Sequence, residues 1–167
     1  MTTIAYKEGV LASDSGAFDD QRNLYLGFTP KVYTLSGGLL YGAAGDIDDR
    51  AVRNLLDAVR SPDQLPSTRE LLETKCDVEA IVVFPDGKLF TIMVAKADED
   101  KPDSDWVAEV AEIRTPYIAL GSGRQIALGA MWAGLTATKA IEAAMEHNVW
   151  TRGPVQSLKV KPLELKR

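Results

Sequence analysis

Four successive positions, Ala80-Ile81-Val82-Val83, are apolar, and they lie in a run Val78 to Phe84 that meets Lys88 to Ala95 across the turn Pro85-Asp86-Gly87. This is the pattern of a β-hairpin. Side chains of a strand alternate between faces, so a strand apolar at every position needs cover on both. The chain must therefore build layers above and below this sheet.

The remaining segments supply those layers. Thr3 to Tyr6, the turn Lys7-Glu8-Gly9 and Val10 to Asp14 predict a hairpin at the start of the chain. Phe18 to Pro30 reads as a loop or short ribbon, and Lys31 to Leu35 with Leu39 to Ala44 flank Ser36-Gly37-Gly38 as a second hairpin. Ile47, Val52, Leu55, Leu56 and Val59 recur at helical spacing, which predicts a helix over 47–60 with Asp46 as its N-cap and Asp48 and Asp49 in its first turn. Pro62 and Pro66 stop it, and Ser67 or Thr68 caps a short helix through Leu71 and Leu72. Ala97 to Asp103 has the composition of a solvated loop. Trp106 to Ile113 and Tyr117 to Leu120 read as strands, Arg124 to Leu135 is small and apolar, Thr138 to His147 is helical with Thr136 or Thr138 as cap, and Val155 to Val160 is a last strand. Hairpins, helices and a returning strand in this order imply antiparallel sheets with helices outside them.

Length and charge narrow the function. The 167 residues are one domain's worth, 1–167, and 24 acidic against 19 basic residues leave a net charge of -5. That balance disfavours nucleic acid and anionic lipid as partners. No apolar run has the length of a membrane helix, and MTTIAYKEGV lacks the pattern of a secretory leader, so a soluble cytoplasmic protein is expected. Cys76 has no intrachain partner and reads as a buried small hydrophobe.

Several motifs carry little. Gly121-Ser122-Gly123 follows a strand as a dinucleotide fingerprint would, but the third glycine position holds Ile126. No phosphate-binding GxxxxGK[ST] segment occurs, and one histidine, His147, with one cysteine does not make a zinc site. Asp46, Asp48 and Asp49, and the run Asp98 to Asp105, lack the register of a calcium loop. No cofactor or metal is expected.

The chemistry concentrates at the start of the chain. Met1 precedes a small residue, Thr2, a pairing that permits removal of the initiator methionine and leaves Thr2 with a free α-amino group. Such an amine, with an ordinary pKa of about 7.7 to 8.0, can act as general base to the hydroxyl of its own residue. Lys31 can hold the amine neutral by like-charge repulsion, Gly45 can offer a backbone N–H to an oxyanion, and Ser122 can offer a hydroxyl on a glycine-framed turn.

The ordered series Thr2-Thr3-Ile4, Ala12-Ser13-Asp14-Ser15, Lys31-Val32, Gly42-Ala43-Ala44-Gly45, Gly121-Ser122-Gly123 and Gly153-Pro154-Val155 resembles the catalytic β-subunits of proteasomes and the peptidase of the two-component bacterial proteasome, the HslV type. These are threonine-type N-terminal nucleophile hydrolases. The likeness runs from Thr2 to about Val160, and the interval from Lys31 to Gly45 is that of the family.

The resemblance implies an α+β fold, a four-layer αββα sandwich of two stacked antiparallel sheets flanked by helices. It makes Thr2 the nucleophile and base, Asp14 the partner of Lys31, Lys31 the tuner of the amine, Gly45 the oxyanion donor and Ser122 a hydrogen-bond partner of the amine. Asn148 stands where the family usually has aspartate, Thr151 where it usually has serine, and Gly16 where many relatives have arginine. It further implies a homo-oligomeric ring, hexamer or heptamer, stacked to a dodecamer or tetradecamer, with peptide or unfolded protein as substrate and an ATP-dependent unfoldase as partner. Met131 and Trp132 are candidate ring contacts or core residues. The alternatives of other classes are a ring-forming scaffold of the same fold with impaired catalysis, marked by Asn148 and a retained Met1, and an amidase acting on a small molecule.

Overall fold

The computed structural model describes residues 2–19, 24–45, 49–98, 100 and 104–161. Among the described residues eleven strands and four α-helices follow in the order β1 (Thr3–Lys7), β2 (Val10–Ser13), β3 (Gly16–Asp19), β4 (Leu24–Phe28), β5 (Val32–Thr34), β6 (Leu40–Gly45), α1 (Arg50–Asp57), α2 (Thr68–Thr74), β7 (Val78–Val83), β8 (Leu89–Lys96), β9 (Trp106–Ile113), β10 (Tyr117–Gly121), α3 (Arg124–Trp132), α4 (Ala137–His147) and β11 (Gln156–Lys159). One sheet has the order β10-β1-β2-β11 and another β5-β6-β7-β8-β9, with β3 and β4 forming a separate two-stranded ribbon. The described ladders are antiparallel.

Three apolar clusters stack the elements into four layers. Ile4, Leu11, Leu40, Ile81 and Val83 pack between the two large sheets. Val52, Leu56 and Leu71 of α1 and α2 cover the outer face of the five-stranded sheet against Val78, Ala80 and Val82. Ala127, Met131, Ala140 and Ile141 of α3 and α4 cover the other sheet on Ala5, Ala12 and Ala119. Strand β7 thus divides alternate side chains between two cores, as its unbroken apolar run requires. The architecture is the αββα sandwich.

Helix α1 differs from its expected span. It runs from Arg50 to Asp57, and Asp49, at its N-cap position, makes no side-chain cap bond. The Asp49 carboxylate instead accepts from Arg53 Nε at 2.8 Å, so an ion pair one turn along competes with the cap. Asp46, Ile47 and Asp48, expected to open this helix, lie outside the described residues. Pro62–Gln64 form a short 3-10 turn after it. Helix α2 opens at Ser67 with a capping box, Ser67 Oγ accepting from Glu70 N while the Glu70 carboxylate accepts from Ser67 N. Ser67→Ala should cost about 1 kcal/mol in a denaturant titration.

Met131 and Trp132 separate. Met131 is 1% exposed inside the α3–α4 cluster and Trp132 is 80% exposed. Met131 is thus core and not a surface contact, because successive helical residues point about 100° apart. No helix among the described residues is long and apolar enough to cross a membrane.

Candidate active site

Strand β1 begins at Thr3, and its antiparallel partners bring two distant turns against its first residues. On one side Ser122 N donates to Thr2 O at 2.8 Å and Ser122 Oγ donates to the same oxygen at 3.3 Å. On the other, Asp14 N donates to Thr3 O at 3.2 Å. The carbonyls of Thr2 and Thr3 are therefore fixed on opposite sides, Thr2 by the β10–α3 turn and Thr3 by the end of β2.

Gly121 makes this close approach possible. It has φ +83°, and a Cβ there would overlap the carbonyl oxygen of Thr2. Gly121→Ala is expected to lower stability by more than about 1 kcal/mol, read by thermal melting, because alanine meets both a steric and a conformational penalty. Gly45, at the end of β6 with φ +128°, is equally closed to a side chain by the carbonyl of Asp77.

Asp14 is fully buried and its carboxylate is surrounded by donors. Thr3 N donates to Oδ1 at 2.8 Å, while Lys31 Nζ at 3.0 Å, Arg152 N at 3.2 Å and Gly16 N at 3.3 Å donate to Oδ2. A buried carboxylate needs such a set, since an unpaired charge there costs several kcal/mol. Lys31 is itself only 6% exposed. Burial lowers its pKa below the usual 10.5, and the charge and hydrogen bond of Asp14 offset part of that effect.

Thr151 and Asn148 join the site through other groups. Thr151 Oγ1 lies 2.6 Å from Thr3 Oγ1, which also accepts from Gly123 N at 2.9 Å. Asn148 Nδ2 donates to Ser122 O at 2.8 Å and its Oδ1 accepts from Trp150 N at 2.8 Å. An amide serves both directions here, whereas a carboxylate could only accept. The N–H and the hydroxyl of Ser122 both reach the carbonyl of Thr2.

Thr2 is the meeting point of two clefts. One is lined by Thr2, Gly16, Phe18, Lys31, Gly45 and Asp49 among others, so Thr2, Lys31 and Gly45 face a common space. The other runs past Thr2, Gly45, Asp77, Glu79, Gly121 and Ser122. Asp49, 6% exposed, lines the first cleft and pairs with Arg53, whose guanidinium lies 4.2 Å from the centre of the Tyr33 ring.

Three supports of the site carry no motif of their own. Thr3 links Asp14, Thr151 and Gly123 through its N–H and hydroxyl, and only the doublet Thr2-Thr3 hinted at it. Arg152 contributes through its backbone, its carbonyl accepting from Gly16 N at 2.7 Å and Ser15 N at 3.2 Å. Backbone contacts of this kind leave no residue signature. Gly121 was visible as a turn glycine, but its contact with Thr2 was not. Among the described residues no group of His, Cys, Asp or Glu gathers to hold a metal ion.

Comparison of the chain path finds similar solved structures. The BPH protein of Thiobacillus denitrificans in complex with epoxomicin matches with a TM-score of 0.59 at 19% identity, covering 96% of this chain and 99% of that one. HslV from Trypanosoma brucei matches with a TM-score of 0.60 at 18% identity over 95% of this chain and 98% of that one. An Anbu Gly-1 mutant from Hyphomicrobium sp. strain MC1 gives 0.60 at 13% identity, over 95% and 81% of the two chains. No protein-family profile and no curated protein sequence matches. At these identities the likeness establishes the fold.

Proposed function

We propose, for a chain that has the fold of the proteasome-like N-terminal nucleophile hydrolases, that it is a threonine-type peptidase subunit of a ring, active after removal of Met1. The observation that carries the reading is the position of Thr2, held by its carbonyl at the junction of two clefts, with Lys31 and Gly45 lining the same cleft.

In this mechanism the α-amino group of mature Thr2 takes the proton from its own Oγ as Oγ bonds to the scissile carbonyl carbon. Gly45 N–H donates to the developing oxyanion. Collapse breaks the C–N bond, and the ammonium returns its proton to the leaving amine. Water, deprotonated by the same amine, then attacks the acyl ester and releases Thr2 Oγ. Lys31, held by Asp14, disfavours protonation of the amine in the resting state. Ser122 and Thr3 position the backbone of residue 2, and Thr151 and Asn148 brace those two. Unfolded polypeptide is the substrate, an ATP-dependent unfoldase the partner and the cytoplasm the location this reading expects.

Intact mass and labelling test it. The purified chain should lack the mass of Met1, and an epoxomicin-class electrophile, the kind of compound bound to BPH in the solved complex, should add to Thr2. A chain that keeps Met1 and resists labelling would be the ring-forming scaffold, with Asn148 as one mark of that course.

A further inference from the structure

The two clefts that meet at Thr2 differ in size and in charge. The first offers about 40 Å³ and balances its charges, Lys31 being paired with Asp14 and Asp49 with Arg53. The second offers about 400 Å³, the size of a ligand pocket. Asp77 and Glu79 stand in its walls, and among the described residues that line it none is basic.

Glu79 is out of place for a residue that only builds the fold. Strand β7 sends Ile81 and Val83 into the core between the two large sheets, and alternation puts Glu79 on that same face. Its neighbours across the ladders are Ala44 of β6 and Met93 of β8, both walls of the second cleft. The side chain is half-buried, and among the described residues its carboxylate has no ion pair or hydrogen-bond partner. Taking a carboxylate out of water without a partner costs free energy. A cation brought in by a ligand would offset that cost.

The chemistry at Thr2 decides which part of a substrate lies there. Oγ keeps the acyl half, while the other half must depart and water must enter, so the wider cleft serves the leaving side. Ser122, which holds the carbonyl of Thr2, lines this cleft and not the first. Lys31, which would repel a cation, lines only the first.

We propose that the second cleft is the leaving-side subsite and that Glu79 selects lysine or arginine as the residue after the scissile bond. The methylenes of such a side chain lie along Met93 and Ala95, and its charged head meets the carboxylate. Register sets the reach: Glu79 pairs with Ala44, one position before Gly45, and neighbouring strands are about 5 Å apart. A long basic side chain spans that interval. The inference rests on the hydrolase reading of Thr2 and adds a substrate class to it.

Internally quenched peptides that differ only in the residue after the scissile bond test the subsite, with mass spectrometry locating the cut. For wild type, kcat/KM with lysine or arginine there should exceed that with alanine about tenfold, the effect of one close charge pair. Glu79→Gln should bring the ratio near one and melt no lower than wild type, since it strands no partner. Glu79→Lys should favour aspartate or glutamate instead. Glu79→Asp keeps the charge on a shorter stem and should narrow the preference without abolishing it.

Equal rates for lysine and alanine peptides in wild type overturn the proposal, as does a preference that survives Glu79→Gln. An equal loss on every peptide in Glu79→Gln would assign Glu79 to Thr2 itself and overturns it too. Addition of an epoxomicin-class electrophile to Thr2 is measured in parallel. Labelling and cleavage without preference sink the subsite alone, whereas neither labelling nor cleavage sinks the hydrolase and the subsite with it.

Discussion

Thr2→Ala is expected to reduce the kcat for a fluorogenic peptide by more than about 1,000-fold, the scale seen when a catalytic nucleophile is removed. The fold should survive. Ser122 holds Thr2 through its carbonyl oxygen, and that backbone contact is common to threonine and alanine. The melting curve should therefore move by about 1 kcal/mol or less in stability. Thr2→Ser keeps the hydroxyl and the amine and should retain measurable turnover. An alanine variant with wild-type rate would show that hydrolysis, where present, belongs to another residue or to a contaminant.

Lys31→Ala has the largest expected effect on stability. It leaves the fully buried Asp14 without its cation, and breaking one half of a buried pair costs about 3 to 5 kcal/mol. The backbone donors Thr3 N, Gly16 N and Arg152 N remain on the carboxylate, which favours the lower end. Combining Lys31→Ala with Asp14→Asn should cost less than the two singles added, because the charge that each single strands is gone. Denaturant titrations of the four proteins measure this. An additive cycle would show that the two groups are not coupled.

The same lysine sets a pH dependence. Burial lowers its folded pKa below the 10.5 of the free side chain, so across that interval the unfolded chain binds more protons than the folded one. Stability contributed by this group accordingly rises as pH climbs toward 10.5. Lys31→Ala should remove that rise, seen by comparing wild-type and variant unfolding free energies through the alkaline range. A variant with the same alkaline slope as wild type would assign the slope elsewhere.

Much of the scaffold was legible from local pattern. The hairpins at the N-terminus and around Pro85-Asp86-Gly87 follow from alternation, apolar runs and turn residues a few positions apart. For α2 the chain offers Ser67 or Thr68 as the cap, and the structure takes Ser67, whose reciprocal bonds with Glu70 close the box. These signals are short-range, so the chain carries them without knowledge of the fold. The start of α1 was not so readable, because Asp49 had a choice between capping and pairing with Arg53.

Other features needed the assembled layers. Composition could not say which of Met131 and Trp132 faces the core, since α3 is small and apolar on most sides and its rotation is set by the Ala5, Ala12 and Ala119 surface beneath it. Asn148 is far from Ser122 in sequence, and the hydrogen bond its Nδ2 donates to that residue's carbonyl exists because α4 packs back beside α3.

What the sequence by itself determined was the alternation of elements, the apolar faces and the residue types able to do chemistry. Tertiary structure alone decided which of them meet: Thr3 with Thr151, Asn148 with the carbonyl of Ser122, and Gly121 beneath the carbonyl of Thr2. The physical reason is range. Turn and strand preferences act over a few bonds, whereas a buried ion pair or a closed backbone approach depends on how whole layers pack, and that packing is fixed by the sum of many apolar contacts.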